Sequence, residues 1–277
     1  MLQITTLMDN RLTGRKDLLC EHGLSLLVSC CGKSILFDCG SSEKMLYNAH
    51  KLGIDPGKLD AVVLSHAHYD HAGGFRYLAE RYPMIKVYTG PGFFEPKYAR
   101  SDHCYRNLSA GFDAGFLEEL GIAHRIVEGT EEILPGVWAV SGFPRQEPLE
   151  TIPDRFLRLT EAGLVPDDFR DELCLTLDTD EGLVLLVGCA HPGILNMTRH
   201  VRGLFGRPVR AVLGGTHLME ADMPRIRKTV EALAQMGVTF LGLNHCSGDS
   251  AEALIRERTE ITARHPGPGD CVLFKGR

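Results

Sequence analysis

Four side chains that can bind metal ions lie within six residues of the sequence. They follow the apolar run 61–64, and they are His66, His68, Asp70 and His71. Because alternate residues of an extended chain point to the same side, His66 and His68 can present their imidazoles to one ion. Asp70 and His71 would then bind a second ion at the turn that follows. Imidazole and carboxylate suit zinc, manganese and iron, so the pattern predicts two divalent metal ions, with zinc as the first expectation.

Three later histidines stand in similar positions, each just past an apolar, strand-like run: His191, His217 and His245. In open α/β sheets, binding sites assemble at the carboxyl ends of strands, so we expect these histidines to converge on the first cluster. Each ion would then have about three protein ligands and an open position for water, as hydrolytic centres require. We assign catalytic roles to Asp70, His191 and His245, whereas His217 is either a ligand or a substrate contact.

Asp38 ends the predicted strand 34–38 and is placed to support a ligand. A carboxylate at this position can accept a hydrogen bond from a ligating imidazole, which fixes the tautomer of that imidazole. The alternative interpretation is that Asp38 only caps a turn.

Short apolar runs and helical periodicities alternate along the chain and must position these residues. The first part predicts strands at 24–28, 34–38, 61–64 and 85–88, with helices at about 42–52, capped by Ser41 or Ser42, and at 75–81. The later part predicts strands at 137–140, 174–178, 183–187, 209–213 and 238–243, with helices at 194–204, 223–236 and 250–258. This order indicates helices packed on sheets.

Residues 93–117 are polar and aromatic without clear periodicity. In a compact chain, such a segment indicates an inserted loop over a site rather than part of the core. Within it, Arg100, His103, Tyr105 and Arg106 are the predicted contacts to an anionic or heterocyclic substrate group, the alternative being a solvated charged surface.

The bulk composition narrows the possible functions. With 277 residues, 44% of them hydrophobic, the chain can bury a large core, and we expect one domain over 1–277. The net charge of −6 provides no basic field for a phosphate backbone, so a nucleic-acid partner is not expected. Apolar runs fall short of the roughly 18 residues of a membrane span, and the amino terminus lacks a secretory pattern, so neither a membrane partner nor export is expected.

The nine cysteines are an odd number, and their spacing matches neither a disulfide framework nor a structural zinc site. A reducing, cytoplasmic location is the simpler interpretation. Cys189 and Cys246 stand next to candidate ligands and are interpreted as packing residues, with oxidation sensitivity as the alternative. The sequence leaves the oligomeric state open.

With these residues assembled, the chain resembles the metallo-β-lactamase superfamily, whose His-x-His-x-Asp-His signature is matched by residues 66–71. The resemblance extends from the segment 37–40 to the segment 244–248. It implies an α/β (α+β) fold, the αββα four-layer sandwich of that superfamily. Four further segments resemble the group named after 7,8-dihydropterin-6-methyl-4-(β-D-ribofuranosyl)aminobenzene-5′-phosphate synthase, namely 21–25, 188–193, 214–218 and 245–248.

Two departures from the superfamily pattern bear on the ligands. Typical hydrolytic members carry a Gly-His motif before the late hairpin and a metal-bridging aspartate after it. This sequence has Arg170-Asp171-Glu172-Leu173 before the hairpin and His191 after it. The resemblance therefore implies that His191 is a direct ligand. Glu172 or Asp171 is a weaker candidate ligand, and Glu172 is otherwise expected to lie next to the ligands.

The resemblance and the ligand set together imply an enzyme that acts on a small molecule. The first hypothesis is a hydrolase in which a metal-activated water attacks an ester or a phosphoester. The second is a transferase that condenses a pterin diphosphate with an arylamine ribose phosphate, as the name of the group implies. The third is an iron-binding redox or sensory protein.

Overall fold

Apolar side chains that alternate along the strands build two facing sheets. The structure is a computed structural model and describes residues 1–83, 85–257 and 260–276. In the strand Gly182–Val187, Leu183 and Leu185 lie in one hydrophobic core, whereas Val184 and Leu186 lie in another. A strand buried on both faces must lie between two apolar layers.

The described chain combines strands and helices, which alternate regularly only after residue 187. Its strands are β1 (Leu2–Met8), β2 (Ser25–Cys30), β3 (Lys33–Phe37), β4 (Ala61–Val63), β5 (Val87–Thr89), β6 (Lys97–Arg100), β7 (Tyr105–Asn107), β8 (His124–Ile126), β9 (Thr130–Leu134), β10 (Val137–Val140), β11 (Phe156–Thr160), β12 (Gly163–Pro166), β13 (Cys174–Thr179), β14 (Gly182–Val187), β15 (Val209–Gly214), β16 (Phe240–Leu243), β17 (Thr262–Arg264) and β18 (Cys271–Phe274). Its helices are α1 (Lys44–Lys51), α2 (Tyr69–Ala72), α3 (Phe75–Arg81), α4 (Ala114–Glu119), α5 (Ile194–Phe205), α6 (Met223–Gln235) and α7 (Asp249–Arg256). Short 3-10 turns occur at Pro56–Lys58 and His245–Ser247.

Two large sheets and one small sheet organise these strands. The first large sheet has the order β18-β1-β2-β3-β4-β5-β8, and the second has the order β17-β16-β15-β14-β13-β10-β9. Each large sheet contains four successive parallel strands. In the first sheet these are β3, β4, β5 and β8, and in the second they are β14, β15, β16 and β17. The small sheet has the order β12-β11-β6-β7.

Three hydrophobic cores fix the layers. The central core lies between the large sheets and includes Leu26 of β2 and Leu186 of β14. Helices α1 and α3 cover the outer face of the first sheet, where Met45 and Phe75 are buried. Helices α5, α6 and α7 cover the outer face of the second sheet, where Val230 is buried. The order is helix, sheet, sheet, helix, so the predicted αββα four-layer sandwich of the α/β (α+β) class is confirmed.

Most of the predicted strands and helices are present, with ends shifted by a few residues. Helix α1 begins one residue later than the predicted cap, after Glu43, and the Ser42 hydroxyl accepts the backbone N–H of Lys44 at 3.3 Å. Helix α7 ends at Arg256, and position 258 of the predicted helix lies outside the described residues. Within the described ranges, no helix has the length and apolar character needed to cross a bilayer.

The segment 93–117 differs from the predicted irregular loop. It contains β6, β7 and α4, and its Phe93, Leu108 and Leu117 are buried in hydrophobic cores. Strands of three or four residues are too short to produce a periodic signal in the sequence, which explains the difference. The segment is therefore partly core and partly the edge of the small sheet.

Gly74 allows the loop that carries residues 66–71 to pack on the end of the first sheet. A Cβ at this position would overlap the carbonyl oxygen of Cys39 and lie 2.8 Å from that of Ser42, and backbone atoms cannot rotate away. We predict that Gly74→Ala lowers the free energy of unfolding by about 1–3 kcal/mol or more, as measured by urea denaturation.

The matched control is Gly203→Ala in an exposed part of α5, where a Cβ meets no atom within 4 Å. This variant is expected to gain up to about 1 kcal/mol, because alanine favours the helix. Equal stability of the two variants would contradict the packing argument.

Candidate metal centre

The candidate ligands come from the carboxyl ends of parallel strands. Asp38 follows β3, and His66 lies just past β4, the parallel neighbour of β3. On the second sheet, the parallel strands β14, β15 and β16 lead to His191, His217 and His245. Each sheet therefore brings its candidate ligands to one edge, and the two edges meet at the site.

His66, His68 and His191 form the first cluster. The distance between ring centroids is 4.7 Å for His66 and His68, 5.2 Å for His68 and His191, and 5.0 Å for His66 and His191. All three side chains are buried, and the Nε2 atom of each has no hydrogen-bond partner among the described residues. A buried polar atom without a partner costs about 1–3 kcal/mol, so three clustered imidazoles that each carry such a nitrogen fit a cation with nitrogen ligands.

Asp70, His22 and His245 surround a second position, next to His71. The Oδ2 atom of Asp70 lies 3.0 Å from His22 Nε2 and 3.2 Å from His245 Nε2. His245 Nδ1 lies 2.9 Å from the Asn10 side-chain oxygen, which accepts hydrogen bonds, so Nδ1 carries a proton and neutral His245 has a bare Nε2. A bare nitrogen and a carboxylate oxygen can bind the same cation, so Asp70, His22 and His245 also fit a metal ion.

The buried carboxylate of Asp38 orients one imidazole of each set. Its Oδ2 atom accepts hydrogen bonds from His71 Nδ1 at 2.7 Å and from the Ser65 hydroxyl at 2.7 Å. The Ser65 oxygen in turn accepts from His66 Nδ1 at 2.9 Å, because its own proton is directed to Asp38. Both imidazoles thus carry a proton on Nδ1 and turn Nε2 toward the site, so the predicted hydrogen bond to Asp38 is present. Gly188 leaves room for this network, since a Cβ there would overlap the Ser65 hydroxyl.

Glu172 and Asp171 hold the loops that carry the ligands. Glu172 is buried and accepts the backbone N–H of Ala190 at 2.7 Å and that of His191 at 3.2 Å. Asp171 accepts the backbone N–H of Ala67 at 2.9 Å. The structure thus places both carboxylates on backbone groups beside the ligands, and neither belongs to a group of converging ligand atoms among the described residues.

A buried triad of charged side chains connects the small sheet to the segment that contains Asp167 and Asp171. Lys97 of β6 lies 2.8 Å from Asp171 and 2.9 Å from Asp167, and all three side chains are buried. Buried charges persist only when they are paired in this way. The Lys97 ammonium also lies 5.2 Å from the centroid of the Phe169 ring, and that ring stacks on His191 at a centroid distance of 3.8 Å. The triad therefore helps to fix the orientation of the His191 ring.

Burial and Asp38 set the charge of the imidazoles. Burial lowers the pKa of His68 to about 3, and it lowers the pKa of His66 and that of His191 well below the ordinary value. These side chains are therefore neutral near pH 7, the form that binds metals. Burial also acts to lower the pKa of His71, but the charge and hydrogen bond of Asp38 outweigh it and raise that pKa to about 9. A metal ion at His71 must therefore displace a proton.

Non-glycine residues with left-handed backbone conformations concentrate at this site. Five of them, with φ between 47° and 60°, are Asp38, Phe169, Ala190, His217 and His245. Such conformations cost of order 1 kcal/mol each and persist where surrounding contacts enforce them. The side chains of the site are thus held by their hydrogen bonds and packing against the preference of the backbone.

A cavity of about 250 Å³ opens onto both sets of ligands. His68 and His191 line it from the first set, and Asp70 and His245 line it from the second. His217 also lines the cavity, with its ring centroid 4.6 Å from that of His191, but it is outside the groups of converging ligand atoms.

The structure brings one of the four predicted substrate contacts to this cavity. Arg106 lines it, with a guanidinium nitrogen 2.8 Å from the Tyr69 hydroxyl. Arg100, His103 and Tyr105 are exposed and are not among the lining residues. Tyr105 and Arg106 are neighbours on β7, and adjacent strand residues face opposite sides, which explains why their positions differ.

Sequence patterns did not identify three residues of the site. His22 precedes β2 and faces Asp70, and the only sequence signal for it is the family resemblance of the segment 21–25. Arg155 lines the cavity and lies 2.5 Å from Glu220. The sequence position of Cys189 indicates a packing residue, yet its sulfur lies within 4.8 Å of ring nitrogens in two pairs, His66 with His191 and His71 with His245.

We predict that Asp38→Asn weakens metal binding by about 10- to 100-fold, because the amide loses the charge and cannot accept all the hydrogen bonds of the carboxylate. Competition with a chromogenic chelator measures the affinity. The control is Asp17→Asn, which removes an exposed ion pair with Arg15 and should leave the affinity unchanged. A folded Asp38→Asn protein that binds metal as tightly as the wild type would refute the orienting role.

Comparison with known proteins agrees with this geometry. The profile of the metallo-beta-lactamase superfamily matches residues 20–193, more than half of the chain. The 7,8-dihydropterin-6-methyl-4-(beta-D-ribofuranosyl)-aminobenzene-5'-phosphate synthase of Methanocaldococcus jannaschii is 31% identical, over 92% of this chain and 90% of that protein.

Two solved structures also resemble this chain over nearly its whole length. The crystal structure of Tm1679, a metal-dependent hydrolase of the beta-lactamase superfamily, has a TM-score of 0.85 and 28% identity, covering 99% of this chain and 100% of that one. Zn²⁺-bound PqqB from Methylobacterium extorquens has a TM-score of 0.60 and 14% identity, covering 98% and 100% of the two chains, and shares the fold. The profile match and the full-length relative establish that the chain belongs to the metallo-β-lactamase superfamily.

Proposed function

We propose that this protein is a metal-dependent hydrolase that cleaves an ester or phosphoester bond of a small anionic molecule. The observation that carries the proposal is the cluster of three buried imidazoles, those of His66, His68 and His191, whose Nε2 atoms have no hydrogen-bond partner among the described residues and which lie beside an open cavity. Divalent metal ions bound by these residues would activate water and stabilise the negative charge that develops during hydrolysis. The likeness to Tm1679, a metal-dependent hydrolase, supports this reaction type.

The residues of the chain have distinct tasks in this proposal. His66, His68 and His191 hold one ion, and Asp70 with His245 holds the other, together with His71 and His22. The catalytic roles expected for Asp70, His191 and His245 are therefore roles of ligands that fix the ions against the substrate. We assign His217 to substrate contact, because it lines the cavity and, unlike His68, is only partly buried.

Two arginines favour an anionic substrate. Arg106 and Arg155 both line the cavity, and each is held by a neighbour, Tyr69 for Arg106 and Glu220 for Arg155. A guanidinium has five N–H donors, so each can bind a phosphate or carboxylate oxygen while it keeps these contacts. The cavity therefore places two guanidinium groups, one of them paired with Glu220, beside the candidate metal ligands.

A second candidate is transfer of a group from a diphosphate ester to an arylamine. The observation that favours it is the 31% identical synthase of Methanocaldococcus jannaschii, which matches nearly the whole chain. The arginine-lined cavity suits a diphosphate as well as a phosphoester. The two candidates differ in the group that attacks, which is water in the first and an amine in the second.

The first test combines metal analysis with a substrate screen. Protein stripped with chelator and reloaded with zinc or manganese should contain two ions per chain and hydrolyse one class among phosphomonoesters, phosphodiesters and carboxylic esters. His68→Ala should lose both metal and hydrolysis, since it removes a ligand from a cluster that depends on three.

The matched control is His50→Ala, which changes an exposed histidine near the end of α1 and should keep both properties. Metal-loaded protein that fails to hydrolyse any class, but releases diphosphate when an arylamine is added, would replace the first candidate by the second. Protein that binds no metal under any of these conditions would overturn both.

A second test addresses the charge of the substrate. Arg155→Gln should raise KM for an anionic substrate by about 10- to 100-fold while changing kcat little, because a charge-assisted hydrogen bond contributes about 1.5–3 kcal/mol. The control Arg227→Gln alters an exposed arginine of α6 and should have no effect. Unchanged kinetics for the Arg155 variant would exclude it from substrate binding.

A further inference from the structure

Cys189 lies between the two sets of metal-binding residues. It comes two residues after the end of β14, and its side chain is buried. The Cys189 sulfur lies within 4.8 Å of ring nitrogens of His66 and His191. It also lies within 4.8 Å of ring nitrogens of His71 and His245. Cys189 is therefore the residue that these two sets share.

We propose that the Cys189 thiolate is a ligand shared by both metal ions, an inference that rests on the proposed metal-dependent function. The Sγ atom lies 3.1 Å from His71 Nε2, a nitrogen that Asp38 orients toward the site. On the other side, the buried Nε2 atoms of His66 and His191 have no partner among the described residues. These nitrogens and the sulfur thus surround two adjacent positions with Cys189 on the boundary.

The chemistry of sulfur makes the proposal specific. When a metal ion binds, the thiol proton leaves to solvent and the resulting thiolate forms the metal–sulfur bond. Its negative charge adds to that of Asp70 and offsets part of the charge of two dications. Thiolate and imidazole together favour zinc or iron(II) over the harder ions manganese and magnesium, so a shared Cys189 predicts a preference for zinc-like ions.

Cys246 has a different position and provides a matched control. Its Sγ atom lies 3.3 Å from Cys189 Sγ, and it is also buried. It belongs to no group of converging ligand atoms in the described parts of the chain. A Cβ on Gly215 would lie 2.6 Å from the Cys246 sulfur, so the packing of this segment also restricts where that sulfur can move. Cys246 is therefore placed to donate a weak S–H hydrogen bond to the Cys189 sulfur.

Cobalt(II) titration of the metal-free full-length chain tests the proposal without relying on activity. Cobalt bound to a thiolate absorbs in the near ultraviolet by charge transfer, whereas cobalt bound only by histidine and carboxylate does not. We expect two equivalents to bind to the wild-type protein with this absorption. Cys189→Ser should abolish the absorption and weaken binding by at least about 10-fold, since even a residue that only supports a ligand contributes that much.

Two further variants make the result decisive. Cys246→Ser should keep the absorption, and Cys189→Asp should bind two cobalt ions without it, because a carboxylate can also bridge. Circular dichroism of each metal-free variant checks the fold. Absorption that survives in Cys189→Ser, or that disappears instead in Cys246→Ser, would overturn the assignment.

The same titration separates this inference from the proposed function. Two bound cobalt ions and hydrolysis without charge-transfer absorption in the wild type would overturn the role of Cys189 alone. Absorption that depends on Cys189 in a protein that hydrolyses no ester would support the ligand and overturn the hydrolase. Failure of the wild type to bind cobalt would overturn both.

Discussion

The buried negative charge of Asp38 is the interaction on which the rest of the site depends. A carboxylate removed from water costs several kcal/mol unless donors surround it, and here Ser65 and His71 supply those donors. His71 donates a hydrogen bond to Asp38, and His66 donates one to Ser65, which in turn donates to Asp38. These hydrogen bonds leave one nitrogen of each imidazole facing inward. One charge at the end of β3 therefore decides which atoms of both ligand sets are available.

The rest of the architecture holds groups in positions that they would not adopt alone. Left-handed backbone at Ala190 and His245, neutral imidazoles packed against each other, and polar nitrogens without partners in the described parts of the chain all oppose folding. The large hydrophobic cores on both sides of each sheet compensate for these costs. Cations that bind the folded chain better than the unfolded chain would add stability by mass action, so folding and metal loading are linked.

Local patterns in the sequence are sufficient to predict part of this structure. The residues His66 to His71 lie close together in the sequence, and His191 and His245 each follow an apolar strand, so residue type and spacing predict them as ligands. The strand β1 was not predicted, although Leu2 and Ile4 are buried in the central core, because its polar residues interrupt the apolar pattern.

The residues that were missed depend on contacts between distant parts of the chain. His22 reaches the site because its segment lies beside Asp70, and Cys189 because its sulfur meets imidazoles from both sheets. The small sheet shows a further effect of such contacts. Its strand β6 is fixed by Lys97 to Asp171, which accepts the backbone N–H of Ala67. Its neighbour β7 is exposed along its length yet contributes Arg106 to the cavity. Substitutions at the exposed positions of β7 can therefore change which molecules reach the cavity, while the buried pair of Lys97 and Asp171 stays in place.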